Sequence, residues 1–519
     1  MKMRIIGIFA FLMIAGLTLA NMRMPIGNAA SQTAINDAIE EGLRYLNSTQ
    51  TSDGYWGSAF YPVGYTAMAV LSYENAPNNH FGWNLTDPYH TTVQKGLDWL
   101  FSQATVQSIA NQTVGNPDSN GNHIGIFFSQ AVPIYQTPMV LMAIVASQAP
   151  PNVTTTGPAS VVNRTYYDIA VDIVDYLAWA QNEGPSGRGG WRYYPNYGDS
   201  DNSVSQWPVL GLMAAELWGI NAPAFVKSEL LNWTATSQNL DNTYENNTYY
   251  GSFGYTDKQT FNSIAETAAG IMELTYCSVS KTDPRIVAAQ GYIVTDWLTN
   301  SGWRVNIGNF YAMYAVMKAC RLAAPTPIEF IANYTGAPKI EWYNGTGQYA
   351  DQLITKQYGD GHWSQWVAPE SIGADLSTAW GVLILEFIPV RVQYTLTVHV
   401  VDASTNDPIS GANVMASGPQ NRLGVTDGGT VVFEGTQAGG YVVSASKSGY
   451  ASASVSVNLT NNTETTIRLM PIFPTPVGGH SVSVEQDPNL PISAPYFALL
   501  TILIVGLTGI RHRTKRRTK

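Results

Sequence analysis

Cysteine is nearly absent: Cys277 and Cys320 are the only two in 519 residues, which excludes a Cys-rich zinc site and a disulfide scaffold. Charge is scarce too. Asp, Glu, Lys and Arg make up 12% of the chain, about half the ~25% usual in globular domains, and Asn, Ser and Thr take their place. Basic residues are the scarcest. Eight of the 27 Lys and Arg lie at the ends (Lys2, Arg4, Arg511, Arg513, Lys515, Arg516, Arg517, Lys519), leaving 19 against 37 acids, a net of about −18. Such a surface repels nucleic acid and anionic headgroups, so no nucleic-acid partner is expected. A phosphate-cradling Gly-rich loop, a His-Glu-x-x-His helix and a nucleophile elbow are all missing, so neither a cofactor nor a metal is expected.

What is present begins with two apolar runs. Met1-Lys2-Met3-Arg4 followed by "IIGIFAFLMIAGLTLA" has the basic and apolar regions of an export signal, read here within residues 1–30. Near the other end "APYFALLTILIVGLTGI", residues 494–510, precedes the basic "RHRTKRRTK". An uncharged run of about this length is the shortest that spans a bilayer as a helix, and the basic cluster, residues 511–519, marks its cytoplasmic side. The expected layout is a single-pass cell-membrane protein with its bulk outside. Sequons at Asn47, Asn84, Asn111, Asn152, Asn163, Asn232, Asn246, Asn333, Asn344, Asn458 and Asn461 fit a glycosylated surface protein.

Between the ends a unit recurs six times: an amphipathic helix, a Gly/Trp/aromatic loop and a more apolar, small-residue-rich helix. "AINDAIEEGLRYLNSTQ", "TSDGYWGSAFYPVG" and "YTAMAVLSYENA" form the clearest copy. The contrast within each pair predicts second helices inside and first helices outside, and six such hairpins bury their faces by stacking as a solenoid or closing as a ring. No polar capping hairpin is seen, which favours the ring. From Tyr394 the pattern alternates over short segments such as "YTLTVHVVDAST", "TVVFEG" and "SASVSVNLT", predicting a β-sandwich over 393–471. The Pro-rich 472–493 then reads as an extended stalk.

The loops "DGYWG", "GRGGWRYYP", "SGWRV" and "DGHWSQW", each ahead of an inner helix, resemble those of the prenyltransferase and squalene-cyclase repeat superfamily. That resemblance covers about residues 32–390 and implies an (α/α)6 toroid like that of terpenoid cyclases. The segments "DPISGANV", "TDGGTVVFEG" and "GGYVVSASKSGY" resemble the carboxypeptidase regulatory-like (transthyretin-like) module, an extracellular spacer without chemistry of its own. The layout as a whole resembles archaeal and bacterial surface-anchored proteins.

Class II terpenoid cyclases carry an Asp-x-Asp-Asp-Thr/Ser run whose middle acid donates a proton. Asp199-Ser200-Asp201-Asn202-Ser203 aligns with it, placing Asp201 as donor with Asp199 and Asn202 as partners. Asn202 replaces the second acid, and without a neighbouring carboxylate to hold it protonated Asp201 ionises more readily. An ionised Asp and Ser203 at the start of a helix cap free amides, the reading preferred here. Protein prenyltransferases bind zinc near inner-helix N-termini, whereas both cysteines fall near C-terminal ends. Cys277 and Cys320 are either a disulfide between neighbouring helices or two buried thiols. The thioester that also occurs on this fold needs a Cys-Gly-Glu-Gln-like run, and none exists.

The aromatics Trp56, Tyr61, Trp191, Tyr193, Tyr194, Trp207, Trp303, Tyr311, Trp363 and Trp366, with His362, are expected at the ring mouth. They suit an apolar ligand or the flat face of a sugar. Binding of an apolar, glycan or protein ligand without catalysis is the favoured expectation. A cyclase-like isomerase using Asp201, or a carbohydrate-active enzyme using Asp199, Asp201 or Asp360, is the alternative.

Overall fold

The computed structural model describes residues 30–472, apart from 58–60, 130, 242–247, 300–301, 334–335, 337, 368–371, 387–392, 418–421, 438 and 460. The expected signal, stalk and membrane segments lie outside these residues, except that residues 30 and 472 are described. No helix among the described residues is long and apolar enough to cross a membrane.

Among the described residues twelve α-helices pair as outer and inner partners: α1 Gln32–Thr49 with α2 Pro62–Asn75, α3 His90–Ser102 with α4 Pro133–Ala146, α5 Tyr166–Trp179 with α6 Asn202–Glu216. They continue with α7 Ala224–Ser237 and α8 Ile264–Tyr276, α9 Pro284–Asp296 and α10 Phe310–Leu322, α11 Tyr349–Lys356 and α12 Ala374–Leu385. Each even-numbered helix packs on the next, and α12 packs back on α2. The six hairpins therefore close into a ring rather than an open stack. Inner helices are buried almost all round, while α1 buries one stripe, Ile35, Ile39, Leu43 and Leu46 among it. The apolar, nearly uncharged second helices are inside because burying their uniform surface removes the most apolar area from water.

The loops joining outer to inner helices in repeats one, three, four and six follow one plan. A Gln just past the outer helix spans two carbonyls, one in its own loop and one in the next outer helix. Gln50 Nε2 donates to Gly54 O and Thr92 O, both at 2.9 Å. Gln181 donates to Gly189 O at 2.7 Å and Val226 O at 3.0 Å. Gln238 reaches Gly251 O and Arg285 O at 3.3 and 2.8 Å, and Gln357 reaches Gly361 O and Ala38 O at 2.9 and 2.8 Å.

Within the same loops a glycine at positive φ presses on that next helix. A Cβ on Gly189 would stand 1.8 Å from Glu229 O and one on Gly361 2.2 Å from Glu41 O, with Gly54 and Gly251 against Lys95 O and Ala288 O in the same way. Two residues on comes a fully buried aromatic, Trp56, Trp191, Phe253 or Trp363. Its backbone N–H donates to a hydroxyl of the inner helix, Thr66, Ser205, Thr267 or Thr378, at 2.9–3.1 Å. The three indoles donate back to the outer helix at Leu46 O, Leu177 O and Leu353 O, at 2.7, 2.9 and 2.8 Å.

After the ring, two four-stranded sheets pack face to face. Strands β6 Tyr450–Ala451, β8 Thr463–Pro471, β1 Gln393–Asp402 and β4 Thr430–Gln437 form one; β7 Ala453–Leu459, β5 Gly439–Ser446, β2 Asn413–Ser417 and β3 Arg422–Val425 form the other. Alternate residues Leu396, Val398 and Val400 from β1 meet Val414, Val443 and Leu459 in a separate core, the period-2 burial of a sandwich.

Gly189→Ala should destabilise the ring by more than about 2 kcal/mol, because the new Cβ meets backbone at a left-handed position. Gly198→Ala, also at positive φ but facing open space, should cost only about 1 kcal/mol. Thermal unfolding of the two variants checks the difference.

Candidate functional site

The inner-helix N-termini gather at the ring mouth, and the stretch from Gly189 to Trp207 supplies much of it. Asp201 is the N-cap of α6: Oδ1 accepts Val204 N–H at 2.8 Å and the Ser203 hydroxyl at 2.6 Å. Its Oδ2 lies 3.2 Å from Arg192 Nε, and Arg192 also pairs with Asp199 at 2.6 Å. The guanidinium stands over the rings of Tyr193 and Tyr255, 5.4 Å from each centroid, and the two tyrosine hydroxyls are 2.7 Å apart. Burial is the main cause that lifts the Asp201 carboxyl from 3.8 to about 6, against the pull of Ser203, Val204, Arg192 and Tyr255. Glu266, on the first turn of α8 beside its capping Ser263, is pushed up to about 8, chiefly by burial and further by Asp201.

Asn202 is occupied elsewhere. Its Nδ2 donates to Gly254 O and its Oδ1 accepts the Trp233 indole N–H, both at 2.6 Å, tying the third repeat to the fourth. A carboxylate could not donate to Gly254 O, so the departure from a second acid follows from packing.

Beneath the mouth the ring axis is filled. Trp207 on α6 stacks at 6.4 Å and 14° on Trp380 of α12, the helix diametrically opposite. Tyr314 of α10 completes the stack at 5.8 Å from Trp207 and 5.9 Å from Trp380. Tyr135 tilts against Trp207 at 5.4 Å, and Tyr311 donates its hydroxyl to Ser203 O at 2.9 Å. Deeper in, Glu74 and Glu273 are fully buried and held well above the usual carboxylate range by burial.

Several expected mouth residues sit elsewhere. Trp56, Trp191 and Trp363 are buried pins of the loops, and Trp207 is buried in the axial stack. Their indoles lie within the packing and present no ligand face. Tyr193 is half-buried at the mouth; Tyr61 and Tyr194 are exposed, Tyr194 stacked on Tyr197 at 6.2 Å. Trp366 is half-buried over Gly308, and the Trp303 side chain falls outside the described residues. His362 lies on the outer rim, 2.5 Å from Asp360 and stacked between Tyr358 and Tyr45 at 4.3 and 5.2 Å, where it packs the sixth repeat on the first. Cys277 and Cys320 are free: the first directs its thiol to Lys227 O at 3.3 Å and the second is buried in α10, so the disulfide alternative is not realised. Of the sequons, Asn246 lies outside the described residues; Asn47, Asn111, Asn163, Asn232, Asn458 and Asn461 are exposed, and Asn84, Asn152, Asn333 and Asn344 half-buried.

Arg192, Tyr255, Glu266 and Tyr135 belong to the mouth although sequence reasoning did not select them. Arg192 had a signal, as one of two bases, with Arg304, that directly follow a loop Trp. Tyr255 and Glu266 reach Asp201 only through the contact of repeats three and four.

Residues 395–470 match the sequence model of the carboxypeptidase regulatory-like domain family. Among solved structures the chain is similar to the Bacillus anthracis TIE protein, at 14% identity over 15% of this chain and 17% of that one, with a TM-score of 0.14. It is also similar to GBS52, the minor pilin of Streptococcus agalactiae, at 18% identity over 17% and 49%, TM-score 0.15. The type II terpene cyclase MstE from Scytonema aligns at 11% identity over 69% of this chain and 98% of that one, TM-score 0.28. A variant of it in complex with geranylgeranyl dihydroxybenzoate gives 11%, 68%, 96% and 0.36. The present chain thus spans 17% and 49% of the first two structures. No curated protein matches the sequence. The described chain is a closed helical ring followed by a carboxypeptidase regulatory-like β module.

Because the folded state raises the Asp201 carboxyl from 3.8 to about 6, its contribution to stability is full below about pH 4 and is lost as pH rises through about 6. Asp201→Asn keeps a capping side chain and removes that dependence. Its stability relative to wild type should improve by up to about 3 kcal/mol between acid and neutral pH, read from denaturant unfolding across pH. Trp207→Ala should cost about 3–5 kcal/mol and open an apolar cavity on the axis, checked by unfolding and by uptake of an apolar dye.

Proposed function

We propose that this chain is a membrane-anchored, glycosylated cell-surface protein whose ring binds a carbohydrate at its mouth without turning it over, with the β module as spacer above the membrane. The observation that carries this reading is the axial stack of Trp207, Tyr314 and Trp380. It fills the axis of the ring, and the half-buried Tyr193, Tyr255, Arg192 and Asp199 lie above it. Such a surface meets a sugar with ring faces and charge-assisted hydrogen bonds. The apolar runs at both ends and the density of sequons support the anchored, glycosylated placement.

The rival reading, a cyclase-like isomerase, draws on the raised Asp201 and Glu266. Against it, Asp201 Oδ1 is held by the helix amide and Ser203 while Oδ2 faces Arg192, which leaves its proton poorly placed for donation.

A glycan array probed with the full-length chain should give saturable binding that Tyr255→Ala or Arg192→Ala weakens at least about tenfold, some 1.4 kcal/mol. Asp201→Asn should be milder. Turnover of an oligosaccharide or a geranylgeranyl substrate that Asp201→Asn abolishes would overturn the non-catalytic reading. In cells, an endoglycosidase shift together with surface biotinylation checks the placement.

A further inference from the structure

The loop that leads into α8 carries a strained residue. Phe261 lies at φ +46°, in the left-handed region where a bulky side chain is rare because its Cβ crowds the following carbonyl. Among the described residues ten other than glycine take a positive φ; four of them are Asn, and only Phe261 and Val132 are apolar. Val132 is half-buried, whereas Phe261 is 59% exposed. An apolar ring set on a strained backbone and left largely in water returns little to the fold.

Its neighbours hold it there from both sides. Before it, the Tyr255 N–H donates to Thr260 O at 2.5 Å, and Asp257 accepts the Gln259 N–H at 2.8 Å and the Thr260 hydroxyl at 2.7 Å. The loop is so tight that a Cβ on Gly254 would stand 1.9 Å from Asp257 O. After it, the buried Asn262 donates through Nδ2 to Ser252 Oγ and Lys258 O at 2.7 and 3.0 Å, and its carbonyl accepts the Tyr292 hydroxyl at 3.2 Å. Ser263 then caps α8. Strain over-determined by its surroundings in this way collects at binding sites and ligand clamps.

The frame sets the Phe261 ring against Tyr255, with centroids 6.4 Å apart and planes at 85°. Tyr255 in turn shares its hydroxyl with Tyr193 at 2.7 Å and lies under the Arg192 guanidinium. An edge-to-face pair engages at most one face of the Phe261 ring. The other face is open, and a phenyl ring, having no polar tip, meets a ligand through apolar contact alone. An apolar face on one residue and hydroxyls with a guanidinium on its neighbours match the two sides of a sugar ring, a flat array of C–H bonds and an edge of hydroxyls.

We propose that Phe261 is the stacking residue of the mouth: its open face takes the C–H face of a hexopyranose, whose hydroxyl edge meets Tyr193, Tyr255 and Arg192. It rests on the carbohydrate reading of the mouth and names the residue that supplies the apolar contact. On an array of neutral oligosaccharides, full-length Phe261→Ala and Phe261→Gly chains should each bind at least about tenfold more weakly than wild type. Phe261→Tyr should stay within about threefold of wild type, and Phe261→Leu should fall with Phe261→Ala, because it keeps apolar bulk and loses the flat face. Phe261→Gly should melt about 1–3 °C above Phe261→Ala, since glycine takes a left-handed backbone without a Cβ clash. A ring that only packs on Tyr255 would lower the melting temperature of Phe261→Ala and leave its binding unchanged. Wild-type binding that survives Phe261→Ala, or that Phe261→Leu retains in full, overturns the assignment alone, and so does a Phe261→Gly chain that melts no higher than Phe261→Ala. No saturable binding by the wild-type chain overturns the carbohydrate reading and the assignment together. The Tyr and Leu variants, which keep a large side chain against Tyr255, decide the matter if the smaller residues fail to fold.

Discussion

The ring depends on how tightly one loop can press against the neighbouring outer helix. In four of the six repeats a Gln, a Gly and an aromatic residue form one joint. The last carbonyls of any helix lack intrahelical partners, and here the indole of Trp56, Trp191 or Trp363 takes one of them in the outer helix. Its own backbone N–H is taken by a hydroxyl of the inner helix. The Gln carries the same economy across the repeat boundary, joining its own loop to the next outer helix. Every donor in the joint is satisfied, so the loop can be buried without the desolvation cost of orphaned amides. The absence of a Cβ at Gly189 or Gly361 lets backbone touch backbone, which sets the spacing between hairpins and hence the turn that closes six of them into a circle.

Much of this was legible. The inner and outer helices separate by composition alone, since "PVLGLMAA" and "TAAGIM" can only be comfortable where nothing is wet, and the alternation after Tyr394 marks the sandwich plainly. The recurring Gly-x-Trp was visible as well, but its meaning was misjudged: a Trp in a loop reads as exposed, and only the bond from Trp191 Nε1 to Leu177 O shows it turned inward as a pin. Asn202 was read as a weakened acid site, yet its amide is matched to one donor and one acceptor of the adjacent repeat. The cysteines illustrate the same limit. Adjacent helices do not guarantee adjacent thiols, because the side-chain direction at Cys277 is set by its place at the helix end, facing α7.

The composition also foretold the electrostatic character of the interior without locating it. Some buried acids meet one of the few bases, as Asp172 meets Arg164 at 2.7 Å, and where none is at hand burial alone raises the carboxyl. Glu74, Glu273 and Glu266 are all raised in this way, and Asp201 partly so. An elevated carboxyl is therefore a general property of this interior and is poor evidence for acid catalysis at any one position.

The bond from Gln357 to Ala38, with the Gly57 amide on Asp375 at 3.2 Å, joins residues more than three hundred positions apart. Their loop must close before either contact contributes, and such distant pairings slow the search for the native state. The first hairpin is thus the earliest part of the ring to be synthesised and the last to find both its neighbours. Until the sixth hairpin is made, the chain is an open arc with two apolar flanks exposed, and that half-made arc, more than the finished ring, sets how strongly it needs protection from aggregation.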